Sequence, residues 1–153
     1  MSILIGSDEG NHVQMSVSGW TIDEPANPID AAWLATEIGV AAGPLSGRFP
    51  TQLRREDLVN WRNELASLDS EFRPGEARFS ASLASSIGLV VTVGNTGSLA
   101  VEGWVEPSLG ELAEQRLEFR FPTDQSLREV ITQLDNLLRR FPDRTSGLDG
   151  KLR

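Results

Sequence analysis

The chain contains no cysteine, no tyrosine and only one histidine, and it has no lysine or arginine before Arg48. The lack of cysteine excludes disulfides, thiolate metal sites and cysteine nucleophiles. The longest apolar runs, such as residues 87–93, have the length of a strand and are too short to span a membrane. The N-terminus also lacks the basic and apolar segments of a secretory signal. We therefore expect a cytoplasmic protein without membrane segments.

Negative charge is concentrated at the start of the chain. The first 47 residues carry no base and account for most of the formal net charge of −8. Their acidic residues are Asp8, Glu9, Asp23, Glu24, Asp30 and Glu37. A field of this sign repels the phosphates of nucleic acid and favours association with a basic protein. The charge pattern therefore predicts a protein partner and no nucleic-acid binding.

Alternating apolar and polar residues predict β-strands in both halves of the chain. Strand patterns occur at residues 12–18, 32–42, 77–83, 87–93, 99–105 and 115–121, with shorter runs at residues 2–5 and 48–53. Pro50 would be tolerated only at the edge of a sheet, because proline cannot donate a ladder hydrogen bond. Asn95-Thr96-Gly97 predicts a tight hairpin turn between two of the strands.

Two segments have the helical period of 3.6 residues. Residues 54–68 place Leu58, Trp61, Leu65 and Leu68 on one face. Residues 127–141 carry the longest amphipathic stripe, Asp124 offers a cap before it, and Pro142 ends it. Residues 21–30 contain two prolines and are predicted to form a loop, although Thr21 and Glu24 imitate a capping box.

The order of these elements predicts an α+β fold. We expect a largely antiparallel sheet of about six to seven strands, with the two amphipathic helices packed on one face. Residues 1–144 would form a single domain, followed by a polar tail at residues 145–153. A duplicated strand–helix plan also fits this order, although no residue-level repeat supports it.

The sequence offers little chemistry for catalysis or for holding a metal or a cofactor. His12 lies on the polar face of a predicted strand, without a visible orienting partner for proton transfer. An all-oxygen metal site could use Glu111 and Glu114, or the turn from Asp8 to Asn11, but neither has the spacing of a calcium loop. No serine lies in a nucleophile motif, and no glycine pattern suits phosphate binding. We expect no catalytic residue, no metal and no cofactor.

Trp104 is a candidate binding residue, because it lies between Glu102 and Glu106 on the polar face of its predicted strand. An exposed aromatic ring flanked by acids is a suitable anchor for a protein partner. Alternatively, the N-terminal loop covers this face and buries Trp104. A second candidate surface comprises Asp23, Glu24 and Asp30, which lie in the proline-containing loop, where a rigid scaffold often displays binding residues.

The order of several short motifs resembles that of the WapI family of bacterial immunity proteins over nearly the whole chain. The motifs are Ile3-Leu-Ile-Gly6, Gly19-Trp20, Ile29-Asp-Ala-Ala-Trp-Leu34, the Leu58 to Leu68 helix, and Leu137-Leu-Arg-Arg-Phe-Pro-Asp-Arg144. The resemblance implies a small cytoplasmic α+β protein that neutralises a co-encoded toxin domain by binding it. Many toxin domains of this kind are nucleases with basic clefts, which an acidic partner would suit.

Two alternatives belong to other functional classes. One is a structural or adaptor module that holds a different protein. The other is a hydrolase acting through carboxylates and arginines on a glycoside or a phosphoester. Such an enzyme requires a pocket in which acids of separated pKa converge, whereas a binding protein presents a flat or ridged acidic surface. We expect no enzymatic activity.

Overall fold

A computed structural model describes residues 1–71, 74–80, 87–106 and 116–145. In order, its elements are β1 (Ser2–Gly6), β2 (His12–Trp20), α1 (Pro28–Ala31), β3 (Trp33–Ala42), β4 (Leu45–Arg54), α2 (Arg55–Glu71), β5 (Gly75–Ser80), β6 (Ile87–Val93), β7 (Leu99–Val105), β8 (Leu117–Thr123) and α3 (Leu127–Arg140). These elements confirm the α+β class. Within the described ranges, no helix is long and apolar enough to cross a membrane.

The strands form two antiparallel sheets rather than one. The first sheet has the order β1-β2-β3-β4 and the second has the order β5-β6-β7-β8. The predicted number of six to seven strands was therefore too low, because the described part of the chain forms eight. The expectation of a single sheet was also wrong, because α2 lies between the two sets of strands in the chain. Each half consists of four strands followed by a helix, as in the duplicated plan.

Local sequence determines the turns and one short helix. The hairpin between β6 and β7 is confirmed, and Gly97 adopts the positive φ of 80° that its turn requires. Residues 21–30 are not entirely a loop, because Pro28 begins the single turn of α1. Asn27 caps this turn, and its side chain accepts a hydrogen bond from the Asp30 backbone N–H (2.9 Å). Proline is favourable at this position because the first N–H groups of a helix have no intrahelical partner.

The helices pack across the two halves of the molecule. α2 follows the first sheet but packs against β5 of the second sheet, where the rings of Trp61 and Phe79 are 5.4 Å apart. α3 follows the second sheet but packs against β1 of the first sheet. The two helices also pack on each other, and Arg62 donates to both carboxylate oxygens of Asp135 (2.8 and 3.3 Å). The apolar residues of both sheets and both helices therefore form one core cluster.

The apolar stripe predicted on α3 is confirmed. Its buried members are Leu127, Val130, Ile131, Leu134, Leu137 and Phe141. Leu138 is half-buried. The helix begins at Leu127 as predicted, but Ser126 rather than Asp124 provides the cap, and its side chain accepts a hydrogen bond from the Glu129 N–H. α2 extends to Glu71, beyond the predicted end at residue 68.

Side chains of the two helices, together with Gln125 just before α3, bind backbone groups at one edge of each sheet. At the free edge of β1, the Gln133 amide accepts from the Leu4 N–H (2.7 Å) and donates to the Leu4 carbonyl (2.9 Å). Gln125 donates to the same carbonyl (2.8 Å) and accepts from the Gly6 N–H (3.1 Å). At the edge of β5, a carboxylate oxygen of Glu64 accepts from the Arg78 N–H (2.8 Å). These contacts satisfy backbone groups that would otherwise pair with another strand.

The other two edges carry proline. The edge strand predicted around Pro50 is confirmed as β4, and Pro122 lies in the other outer strand, β8. Backbone hydrogen bonding alternates along an antiparallel ladder. The Arg55 N–H donates to the Ala32 carbonyl (3.0 Å) at the end of the β3–β4 ladder. Counting back along β4 from that bond, every second backbone N–H points toward β3, and the nitrogen of Pro50 points away from the sheet. A proline at this position cannot donate a hydrogen bond to a further strand.

The packing of α3 leads to a prediction about stability. Leu134 is fully buried. Leu134→Ala should lower the free energy of unfolding by about 2–5 kcal/mol, because it leaves a cavity in the shared core. Thr132→Ala, at an exposed position of the same helix, should change it by less than about 0.5 kcal/mol. Urea denaturation measures both values, and equal effects would contradict the helical phase described here.

The two glutamines lead to a prediction about the β1 edge. Gln125→Ala combined with Gln133→Ala removes four hydrogen bonds and should lower the free energy of unfolding by about 1–3 kcal/mol. The uncovered edge should also promote self-association, measured by light scattering at increasing concentration. Gln52→Ala is the control, because Gln52 is exposed on β4 and has no hydrogen bond to the described residues. A double variant that stays as stable and as dispersed as this control would contradict the role of the glutamines.

Candidate partner-binding surfaces

The 21–30 loop exposes apolar side chains to solvent. The exposed large hydrophobic residues in the described ranges are Met1, Ile22 and Ile29. Ile22 is 39% exposed and Ile29 is 72% exposed. Two of the three therefore lie in one short segment between β2 and β3. These two side chains are available for contact with a partner, because the fold leaves them uncovered.

The same loop contains the three acidic residues predicted to bind a partner. Asp23 and Glu24 are exposed, whereas Asp30 is half-buried. One Asp30 carboxylate oxygen accepts a hydrogen bond from the side-chain amide of Asn27 (3.0 Å). Asp30 is therefore engaged in the cap of α1. Asp23 and Glu24 are the more accessible charges.

Arg144 fastens the loop to the scaffold. Its guanidinium donates hydrogen bonds to the backbone carbonyls of Ile22, Asp23 (3.0 Å) and Ala31 (3.2 Å). The guanidinium also lies over the ring of Trp20, 4.0 Å from the centroid. Burial lowers the pKa of Arg144 and the Asp23 carboxylate raises it, but the group stays charged because the pKa of arginine lies far above neutrality.

The sequence did not reveal which base lies beside these acids. Arg48 and Arg54 are the first bases after these acids in the sequence, but Arg48 pairs with Glu37 (3.4 Å) and Arg54 pairs with Glu56 (3.2 Å). The base near Asp23 is Arg144 instead. The only sequence signal was the Phe-Pro-Asp-Arg motif after the last helix, which did not indicate a contact 121 residues away.

A cleft of about 520 Å³ lies beside the loop. Its lining includes Trp20, Ile29, Trp33, Val59, Asp143 and Arg144. Arg55 also lines the cleft, but its guanidinium donates to the Phe141 and Leu138 carbonyls at the end of α3 (2.6 and 3.3 Å). The arginines of the cleft are thus engaged with protein groups, and the loop and the cleft form one continuous surface.

The second candidate residue, Trp104, lies on the outer face of the second sheet. Its ring rests against Gly88 of the neighbouring strand, where a Cβ atom would collide with the indole. The Arg116 guanidinium covers the ring at 4.1 Å from the centroid and pairs with Glu106 (2.8 Å). Trp104 is therefore half-buried, and it is neither fully exposed nor buried beneath the N-terminal loop.

The outer face around Trp104 carries charges of both signs. A groove of about 540 Å³ there is lined by Glu76, Arg78, Glu102, Trp104, Glu118 and Arg120, among others. Glu102 and Arg120 lie opposite each other in the register of β7 and β8. Neither side chain forms an ion pair within the described part of the chain. This face has no single sign of charge, so it offers less electrostatic selectivity than the loop.

The structure separates the predicted binding residues into two groups. Asp23, Glu24 and Asp30 belong to the loop, whereas Glu102, Trp104 and Glu106 belong to the outer face of the second sheet. The cleft beside the loop and the groove beside Trp104 have no lining residue in common. The two groups are therefore separate candidate surfaces.

Among the described residues, those considered for catalysis and metal binding do not come together. His12 lies at a turn, and its Nδ1 is 3.0 Å from the backbone carbonyls of Ser7 and Gly10. Over the ranges that the structure covers, no group of three histidine or acidic residues could hold a metal ion. Glu111 and Glu114 lie outside these ranges.

Comparison with known proteins gives one match. A sequence model of the immunity protein WapI-like family matches residues 3–142, from β1 to just beyond the end of α3. No curated protein and no solved structure matches the chain.

Proposed function

The chain belongs to the immunity protein WapI-like family, and from this we propose that it neutralises a toxin domain by binding directly to it. The toxin would be encoded beside it, and the two proteins would meet in the cytoplasm. Binding would be the whole of its activity, without catalysis and without a cofactor. The observation that carries this proposal is the surface of the 21–30 loop.

The loop has the composition of an interface centre. Ile22 and Ile29 are apolar anchors that a partner could cover, and Asp23 and Glu24 lie between them in the chain. Buried apolar anchors contribute most of the affinity of many interfaces, while charges around them control orientation and the rate of encounter. This arrangement supports a protein partner rather than a small substrate.

The charge of the loop supports a basic partner. Glu24 forms no ion pair with any residue in the described ranges. Asp23 is only partly offset by Arg144, whose guanidinium is committed to backbone carbonyls. The remaining negative field would accelerate association with a basic surface, such as the substrate cleft of a nuclease.

The stoichiometry of inhibition separates a binding protein from an enzyme. A binding protein should abolish toxin activity only when it reaches a fixed molar ratio to the toxin, whatever the incubation time. His12→Ala should neutralise the toxin equally well, because no catalytic step depends on the imidazole. The measurement is residual toxin activity against added protein. Progressive inactivation by trace amounts, lost in His12→Ala, would contradict the proposal and favour an enzyme.

Charge reversal tests which surface binds. Asp23→Lys with Glu24→Lys should slow association with the toxin roughly tenfold at low salt and flatten its salt dependence, because the steering charge is lost. Asp8→Lys with Glu9→Lys is the matched control. It makes the same change in net charge at exposed positions of the β1–β2 turn.

The apolar anchor should have a different kinetic effect. Ile29→Ser should mainly accelerate dissociation, because apolar contacts form after the encounter. Stopped-flow or surface-based kinetics measure both rates. If both loop variants bind like the turn control, the loop is not the interface, and the Trp104 face becomes the alternative. If the wild-type protein does not bind the toxin at all, an adaptor role for a different protein is favoured.

A further inference from the structure

We propose that Arg144 is a positioning residue that holds the 21–30 loop in the shape that its partner recognises. The inference relies on the proposed function only for its effect on binding. Its structural part concerns the loop of the free protein and can be tested without a partner. Arg144 lies two residues beyond the family match and ends the last of the motifs that carry the family resemblance.

The hydrogen bonds of Arg144 join the two ends of the loop. Ile22 and Asp23 lie at its beginning, and Ala31 follows its end. One planar guanidinium therefore ties together carbonyl groups that are eight or nine residues apart in the chain. A tie of this kind restricts the conformations of the segment between its ends.

The loop has few other attachments near its acidic residues. The Thr21 N–H donates to the Trp33 carbonyl (2.9 Å), and Asn27 caps α1. Between these points, at residues 22–26, the hydrogen bonds made by described residues to the backbone all come from Arg144. Asp23 and Glu24 are in this stretch, so their positions depend most directly on Arg144.

Arg144 is itself held in place by neighbouring residues. The ring of Trp20, which the guanidinium covers, packs edge-on against Phe141 at 5.9 Å. On either side of Arg144 in the chain, the Asp143 carboxylate accepts hydrogen bonds from the Thr145 N–H (2.8 Å) and the Thr145 hydroxyl (2.6 Å). These hydrogen bonds lower the pKa of Asp143 and fix the backbone around Arg144. The segment that follows α3 thus supports the loop through Arg144.

The contacts require a guanidinium and not merely a positive charge. A guanidinium is planar and presents several N–H groups in a fixed fork while it stacks on an aromatic ring. A lysine ammonium cannot reach three diverging carbonyls and also stack on Trp20. We therefore expect Arg144→Lys to resemble Arg144→Ala, which a purely electrostatic role would not predict.

The first experiment measures the loop in the free protein. Backbone amide order parameters by NMR at residues 22–24 and 26 should fall from about 0.85 to below about 0.6 in Arg144→Ala and Arg144→Lys. The indole N–H resonance of Trp20 should shift as the stacked guanidinium is lost. Arg139→Ala is the matched control, because it removes one exposed arginine whose side chain hydrogen-bonds only to Asn136 within the described residues. Unchanged order parameters in both Arg144 variants would overturn the proposal.

The second experiment measures binding to the toxin domain. Arg144→Ala and Arg144→Lys should slow association roughly tenfold relative to Arg139→Ala, because the competent loop shape is less populated. If the loop loosens but association stays fast while Asp23→Lys with Glu24→Lys slows it, the loop binds without a fixed shape and the proposal is overturned. If neither Arg144 nor the two acids affect association, the proposed surface is wrong, and the order parameters alone decide the role of Arg144. Should Arg144→Ala fail to fold, Arg144→Lys supplies both measurements.

Discussion

The structure depends on a single apolar core, which each four-stranded sheet shares with the helix that follows the other sheet. α2 leaves the first sheet to pack on β5, and α3 leaves the second sheet to pack on β1. The result is one core built from both halves. Neither half retains the helix that completes it, so neither is expected to fold alone, and unfolding should be cooperative over the described domain.

The same helices determine how the protein can meet other chains. Gln125 and Gln133 form hydrogen bonds with the backbone at the edge of β1. Glu64 accepts a hydrogen bond from one backbone N–H at the edge of β5. Pro50 and Pro122 lie in the strands at the two remaining edges, β4 and β8, and have no backbone N–H to donate. Addition of a partner strand to a sheet edge is therefore disfavoured throughout the described structure. Recognition is left to loops and to the outer faces, in agreement with the proposed role of the 21–30 loop.

Local periodicity predicted the individual elements well, because it depends only on neighbouring residues. The stripe of α3, the hairpin at Gly97 and the edge position of Pro50 were all readable from the sequence. Periodicity says which face of a strand is buried but not which strands pair, so the division into two sheets was missed.

The tertiary contacts of polar residues were harder to predict for a related reason. Gln133 lies outside the apolar stripe of α3, and nothing in that stripe indicates that its side chain binds the backbone of Leu4. Arg144 binds the carbonyls of Ile22, Asp23 and Ala31. Every residue has a backbone carbonyl, so acceptors of this kind leave no side-chain pattern in the sequence. The acidic loop itself was identified from charge, whereas its exposed isoleucines and its anchor required the fold.

The way in which Arg144 holds the loop has a consequence for how the surface could evolve. Its acceptors are main-chain carbonyls, which are present whatever side chains the loop carries. Residues 22–24 could therefore be exchanged for others without removing the anchor. Mutations at these positions would alter the exposed surface and leave the scaffold intact. Under the proposed function, such a separation would let the side chains of the loop change with the partner while the scaffold that holds them stays the same.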